Sequence, residues 1–229
     1  MKANVRSLLD FPRGNYIVIH MDVSHPIKCV IPSLDAHVLE VLAGTTRPLT
    51  GRKVYRLAGT GSDRGIRLVL HRLVRQGLAI AEDQGSSTLY WANRAHLAWP
   101  AVELLVGLRA SLIEQMSSRV AGWDVPVLHA SIFGSAARLD GDENSDIDLL
   151  LVRPDAADDD TWNDQVTALR AWATEVTGNT CQVFDVTMSR FAEHVQADDP
   201  LVASWRRDGL HLGGTSIEAL VRTARGGSR

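Results

Sequence analysis

The chain has 229 residues, 45% of them hydrophobic and 22% charged, with a formal net charge of −3 at pH 7 and two cysteines, Cys29 and Cys181. This is the composition of a soluble globular protein with room for one large or two modest domains, and it excludes low-complexity and disulfide-rich classes. Neither cysteine sits in a close Cys or Cys/His cluster, so no zinc site and no disulfide is expected. No apolar run reaches membrane-spanning length and the N-terminus lacks a signal peptide's pattern, so a reducing cytoplasm without a membrane partner is expected.

The small net charge hides an asymmetry. Lys28 to Leu78 carry nine basic residues against three acids, whereas residues 79 to 229 carry about −10. A basic front and an acidic back suggest two modules with different partners.

Residues 1–27 form an N-terminal extension in this reading, with Tyr16-Ile17-Val18-Ile19 either an edge strand or loose chain. Over 28–96, Ser33 caps a helical pattern ending near Gly44. Pro48-Leu49-Thr50-Gly51 introduces a short helix through Ala58, and Ser62 caps a third helix carrying Ile66, Val69, Leu70, Leu73 and Val74. Two β-type runs follow, Leu78–Ala81 and Thr88–Trp91, joined by a turn over Asp83–Ser87. Three helices and a hairpin in this order resemble a winged helix-turn-helix domain, and Leu73-Val74-Arg75-Gln76-Gly77-Leu78 resembles that family's lead-in to the wing.

The third helix would then be the recognition element. Its outward positions carry Arg64, Arg67, His71, Arg72 and Arg75, and the preceding helix adds Arg52, Lys53 and Arg56. Such a surface suits duplex DNA, because arginine neutralises phosphates and reads guanine edges. His71 adds nothing by itself, and a protein-docking module remains the alternative. Residues 97–120 read as one connecting helix, with Val102, Leu105, Leu108, Leu112 and Met116 at helical spacing and Pro100 in the first turn.

Residues 121–229 hold the most informative stretch, SIFGSAARLDGDENSDIDLLLV from Ser131 to Val152. Gly134-Ser135 ends one apolar run, and Asp146 and Asp148 head the next. In a strand these two aspartates share a face while Ile147 and Leu149 turn to the core. Two like charges so close are tolerated most easily around a divalent cation, and few carboxylates beside room for phosphates suit magnesium. Gly134 lets the backbone approach a phosphate, and Ser135 adds a hydroxyl. Asp140, Asp142 and Glu143 read as a solvated turn, and Asp158, Asp159 and Asp160 as acids at a helix start.

At Gly134-Ser135, Arg138 and Ser145-Asp146-Ile147-Asp148 the chain resembles the minimal nucleotidyltransferases of the DNA polymerase β superfamily. An Arg-Gly pair commonly follows the Gly-Ser there; this chain has Arg138-Leu139 and delays its glycine to Gly141. The resemblance implies a third carboxylate on a later strand, and Asp185 in Cys181–Thr187 is the candidate. It also implies two Mg2+ ions held by Asp146, Asp148 and Asp185, with ATP or another nucleoside triphosphate held by Gly134, Ser135, Arg138 and Ser145.

The expected fold is α/β (α+β): a winged helix domain, then a polymerase-β-like core with a small mixed sheet, ending in a helix and short strand over 200–213. The implied function is transfer of a nucleoside monophosphate to a hydroxyl on a protein such as a partner toxin, on RNA or on a small molecule, with a homodimer possible. The alternative is a DNA-binding regulator whose nucleotidyltransferase fold only senses nucleotide.

Overall fold

A computed structural model describes residues 20–226. The run Tyr16–Ile19 lies outside the described residues. The front of the chain folds as helix α1 (Leu34–Ala43), a two-residue strand β1 (Leu49–Thr50), α2 (Gly51–Ala58), α3 (Asp63–Arg75) and the hairpin β2 (Ala79–Gln84) and β3 (Ser87–Ala92). Hydroxyl side chains start all three helices: Ser33 accepts from the Asp35 N–H, Thr50 from Lys53 and Ser62 from Gly65. Each thereby satisfies a first-turn donor that has no partner within its helix. The strands make an antiparallel sheet in the order β1-β3-β2. The hairpin turn is tighter than expected, because pairing continues to Gln84 opposite Ser87. Leu39, Leu42, Val54, Ile66, Leu70, Leu73 and Tyr90 close the core of this unit.

The expected single connecting helix is two segments, α4 (Trp99–Val106) and α5 (Leu108–Ala121), meeting at Gly107. Apolar spacing continues across the break, which is why the sequence reads as one helix. The segments serve different cores: Trp99 and Val102 pack with the front unit, Leu112, Met116 and Val120 with the back.

The back unit is a four-stranded sheet in the order β6-β5-β4-β7, built from β4 (His129–Phe133), β5 (Ile147–Arg153), β6 (Cys181–Thr187) and β7 (Leu210–Gly214). β5 and β6 are parallel, joined through α7 (Asp159–Thr177), while β4 runs antiparallel to β5 and β7. One face carries Ile147, Leu149 and Leu151 against α5 and α7, around the fully buried Trp162. The other carries Leu150 and Val152 against α8 (Met188–Gln196), α9 (Pro200–Asp208) and α10 (Ile217–Gly226), around Phe191 and Trp205. This alternation along β5 fixes which way every polar residue of the strand points. A five-residue helix, α6 (Gly134–Arg138), follows β4 directly.

Residues 20–27 differ from the expected extension. They form a strap tied to both units. The Met21 N–H donates to the Thr177 carbonyl and Asn179 Oδ1, and Asn179 Nδ2 donates to the carbonyls of Met21 and Ser145. Val23 is buried in the back core and Ile27 in the front one. Asp22, 5% exposed, accepts from the N–H groups of Ser24 and His25 and from Lys28 Nζ at 2.7 Å.

Candidate functional site

β4 delivers Gly134 and Ser135, and β5 delivers Asp148, to one end of the back sheet. Phe133 pairs with Asp148 across the antiparallel β4–β5 ladder. Gly134 has φ +71, and a Cβ at that position would lie 2.4 Å from Asp148 Oδ2. Only glycine allows this approach. Asp148 is half-buried, and its carboxyl is held above the usual range first by burial and then by the charge of Asp146, against a smaller opposing pull from Arg138.

Ser135 Oγ has no hydrogen-bond partner among the described residues and lies 3.4 Å from the Cβ position of Gly141, where Ser145 Oγ also approaches, at 3.1 Å. Gly141 thus folds the loop back over the Gly-Ser turn. Ser145 is engaged within that loop: its hydroxyl accepts from the Asp142 N–H at 2.9 Å and donates to Asp142 Oδ1 at 3.0 Å. Arg138 is also engaged, with Asp140 at 3.0 Å and Asp208 at 3.2 Å. Arg207, and then Arg138, hold the Asp208 carboxyl down to about 2.

Asp185 is not brought to this site, which corrects its assignment as third metal ligand. β6 occupies the residues expected, but in the parallel ladder Asp148 pairs with Gln182 and Asp185 pairs with Leu151. Paired residues share a face, so Asp185 projects on the α7 side, where its Oδ2 accepts from Trp162 Nε1 at 3.0 Å. β6 is an edge strand and Asp185 is exposed, so its carboxylate is open to solvent beside the Trp162 indole.

The residue that does reach the face of Asp146 and Asp148 is Gln182, whose Nε2 donates to Asp146 Oδ2 at 2.5 Å. The sequence signal was available: alternation puts Gln182, Phe184 and Val186 on one face and Cys181, Val183 and Asp185 on the other. The strand's one carboxylate falls on the far face, and an amide holds the place beside the two aspartates. The donor set present, two carboxylates with an amide beside them, fits one hard cation with oxygen ligands, since turning the Gln182 amide over would present Oε1.

On the front unit, Arg52, Lys53, Arg64, Arg67, His71, Arg72 and Arg75 are all exposed. Arg64, His71, Arg72 and Arg75 line up with the exposed Leu68 on the outer face of α3. Two of these cations are already paired, Arg67 with Asp63 at 2.7 Å and Arg72 with Asp35. Arg52 and Arg67 share a cavity of about 340 Å3 with Ser86 of the hairpin turn and Ser87 and Thr88 at the start of β3. The arrangement sets a basic, hydroxyl-lined hollow between α3 and the hairpin.

No protein-family model matches the chain, and no curated protein matches it. Among solved structures, the chain is similar to a toxin–antitoxin with AMP-PNP, at 20% identity and TM-score 0.33, covering 51% of this chain and 83% of the other. It is also similar to a mutant toxin–antitoxin MntA-HpeT, at 17% identity and TM-score 0.36, covering 50% of this chain and 84% of the other. No helix among the described residues is long and apolar enough to cross a membrane.

Proposed function

We propose that the back unit binds a Mg2+–nucleoside triphosphate, ATP among the candidates, and moves its nucleoside monophosphate onto an acceptor hydroxyl, with the front unit acting as a DNA-binding winged helix. The observation that carries this reading is the contact of Gly134 with Asp148. It joins a backbone turn suited to phosphate and a pair of clustered carboxylates in one place.

Magnesium bound there supplies charge neutralisation for the phosphates. Asp146 and Asp148 would hold it, while Gly134 and the free Ser135 hydroxyl would hold the β- and γ-phosphates. The acceptor oxygen forms a bond to the α-phosphorus, the bond to the bridging oxygen breaks, pyrophosphate leaves, and the acceptor proton passes to solvent. With Asp185 on the other face, the two-ion arrangement lacks its third carboxylate, and one nucleotide-bound ion is the occupancy that the donor set supports. Arg138 joins the phosphates only by leaving Asp140 and Asp208. The acceptor is a protein hydroxyl, such as one on a partner toxin, an RNA end or a small molecule.

Gln182 favours a second reading: a DNA-binding regulator whose back unit senses nucleotide without transferring it. Incubation with α-labelled nucleoside triphosphates and cell lysate, alongside a binding titration of Mg2+–ATP, separates the two. Label on a lysate species that Asp146→Asn abolishes supports transfer. Saturable binding without label supports sensing. Absence of both sinks the nucleotide site altogether.

A further inference from the structure

Counting cysteines predicts no zinc site, yet the structure gathers a different ligand set that includes neither Asp146 nor Asp148. Among the described residues, His25, His37 and Glu40 form the one group of three or more His, Cys, Asp or Glu residues whose ligand atoms all lie within 4.8 Å of one another. His25 Nδ1 is 3.0 Å from Glu40 Oε2, and His37 Nδ1 is 3.7 Å from the same oxygen. The two imidazoles meet edge to face, with centroids 4.8 Å apart. A tetrahedral ion with bonds of ~2.1 Å spaces its ligand atoms ~3.4 Å apart, so small side-chain rotations would convert this cluster into a coordination shell.

We propose that His25, His37 and Glu40 form a transition-metal site of the Zn2+ class, with an exogenous fourth ligand, that clamps the 20–27 strap to α1. Two imidazoles and one carboxylate select Zn2+ and its neighbours over Mg2+, which prefers an all-oxygen shell. The positions are prearranged. His37 and Glu40 are three apart on α1 and so share a helix face. His25 opens the 3-10 turn Pro26–Cys29, with its backbone N–H fixed by Asp22.

The fourth position has room. The three residues line a cavity of about 470 Å3 that continues to Val106, Arg109 and Leu139. Arg109 donates to the Ala136 carbonyl within α6, and its buried Nε has no partner among the described residues. An ion here would also link the units. His25 belongs to the strap that Asn179 ties to the Ser145 carbonyl beside Asp146, whereas His37 and Glu40 belong to α1 of the front unit.

The test is calorimetric titration of the full chain with ZnCl2 at neutral pH in saturating MgCl2, which occupies the aspartates, together with the visible spectrum of the Co2+-loaded protein. The expected result is one Zn2+ per chain, a Co2+ spectrum of low coordination number, and a higher Tm with Zn2+ than with EDTA. His37→Ala should weaken binding at least 100-fold, and Asp146→Asn should leave it unchanged. Should His37→Ala fold poorly in EDTA, Glu40→Gln, which keeps the side-chain volume, carries the same comparison. Absence of stoichiometric binding by the wild type, or binding that survives both His37→Ala and Glu40→Gln, overturns the proposal and leaves the cluster as an ion pair shared by two histidines.

Discussion

Gln182 stands opposite Asp148 in the β5–β6 ladder and donates its side-chain amide to Asp146 at 2.5 Å. An uncharged donor thus separates the two clustered acids from the edge of the sheet, in the place a third carboxylate would need. Gln182→Asp should reverse this. Three carboxylates would destabilise the metal-free protein by on the order of 1 kcal/mol, a modest figure because the position is exposed and water screens it. Mg2+ should then raise Tm by more than in the wild type and bind more tightly. Thermal melts with and without Mg2+ check this, and a variant whose response to the ion equals the wild type would place position 182 outside the site.

Asp185→Asn should leave Mg2+–nucleotide binding unchanged, because the side chain lies on the α7 face. Asp185→Ala should cost about 1–3 kcal/mol, the range for leaving a buried donor without its partner, here Trp162 Nε1. A nucleotide titration beside a denaturant melt separates the two effects. Loss of nucleotide binding in the Asn variant would return Asp185 to the site.

Much of this site is legible in the sequence. Asp-Ile-Asp alternates as a half-buried strand must, Gly134-Ser135 sits at the end of β4, and Cys181–Thr187 is a strand over the residues expected. The facing of β6 is not legible, since a one-residue shift in register moves every side chain to the other face and only pairing with β5 decides it. Likewise, nothing local says that Arg72 is answered by Asp35, 37 residues away, or that His25 meets Glu40, 15 residues away. The strap was missed because Met21–His25 has no periodicity; side-chain and backbone hydrogen bonds to Asn179 and Asp22 hold it instead.

Gly134→Ala tests the close approach. Forcing an L-residue into the left-handed region costs roughly 1–2 kcal/mol, and the added methyl also meets Asp148 Oδ2 at 2.4 Å. Stability should fall by at least that amount, and Mg2+–nucleotide binding should fall further as the carboxylate is displaced. Retained binding with wild-type Tm would mean that the Gly134–Asp148 contact is dispensable.

Asp148 gives a pH prediction with a definite sign. Its folded carboxyl titrates above the unfolded value because of burial and Asp146. A raised folded value favours the protonated native state, so this contribution to stability is present at low pH. It is lost as pH rises from the unfolded value through the folded one. At neutral pH without metal the ionised carboxylate is therefore a liability, and Asp148→Asn should raise the metal-free Tm while abolishing the stabilisation that Mg2+ brings. Mg2+ affinity of the wild type should fall as pH drops into the titration range, since protons compete for the same oxygens. A metal-free Asp148→Asn that melts well below wild type would contradict the repulsion argument.

The basic face of α3 should bind duplex DNA with strong salt dependence, and the ion pairs rank its residues. Each Lys or Arg that neutralises a phosphate releases condensed counterions, so about four contacts give a log–log salt slope near −4. Arg64 and Arg75 are exposed on that face and have no acidic partner among the described residues, whereas Arg67 and Arg72 must first leave Asp63 and Asp35. Replacing Arg64 and Arg75 together with alanine should flatten the slope by about two units. The same treatment of Arg67 and Arg72 should flatten it less, because Asp63 and Asp35 already neutralise these two side chains and each adds less than a full phosphate contact. Neither pair should alter Mg2+–ATP binding by the back unit. The acidic back unit should repel DNA, which would confine binding to the front unit. If a titration at low salt detects no duplex binding, or binding that salt leaves unchanged, the front unit docks protein instead.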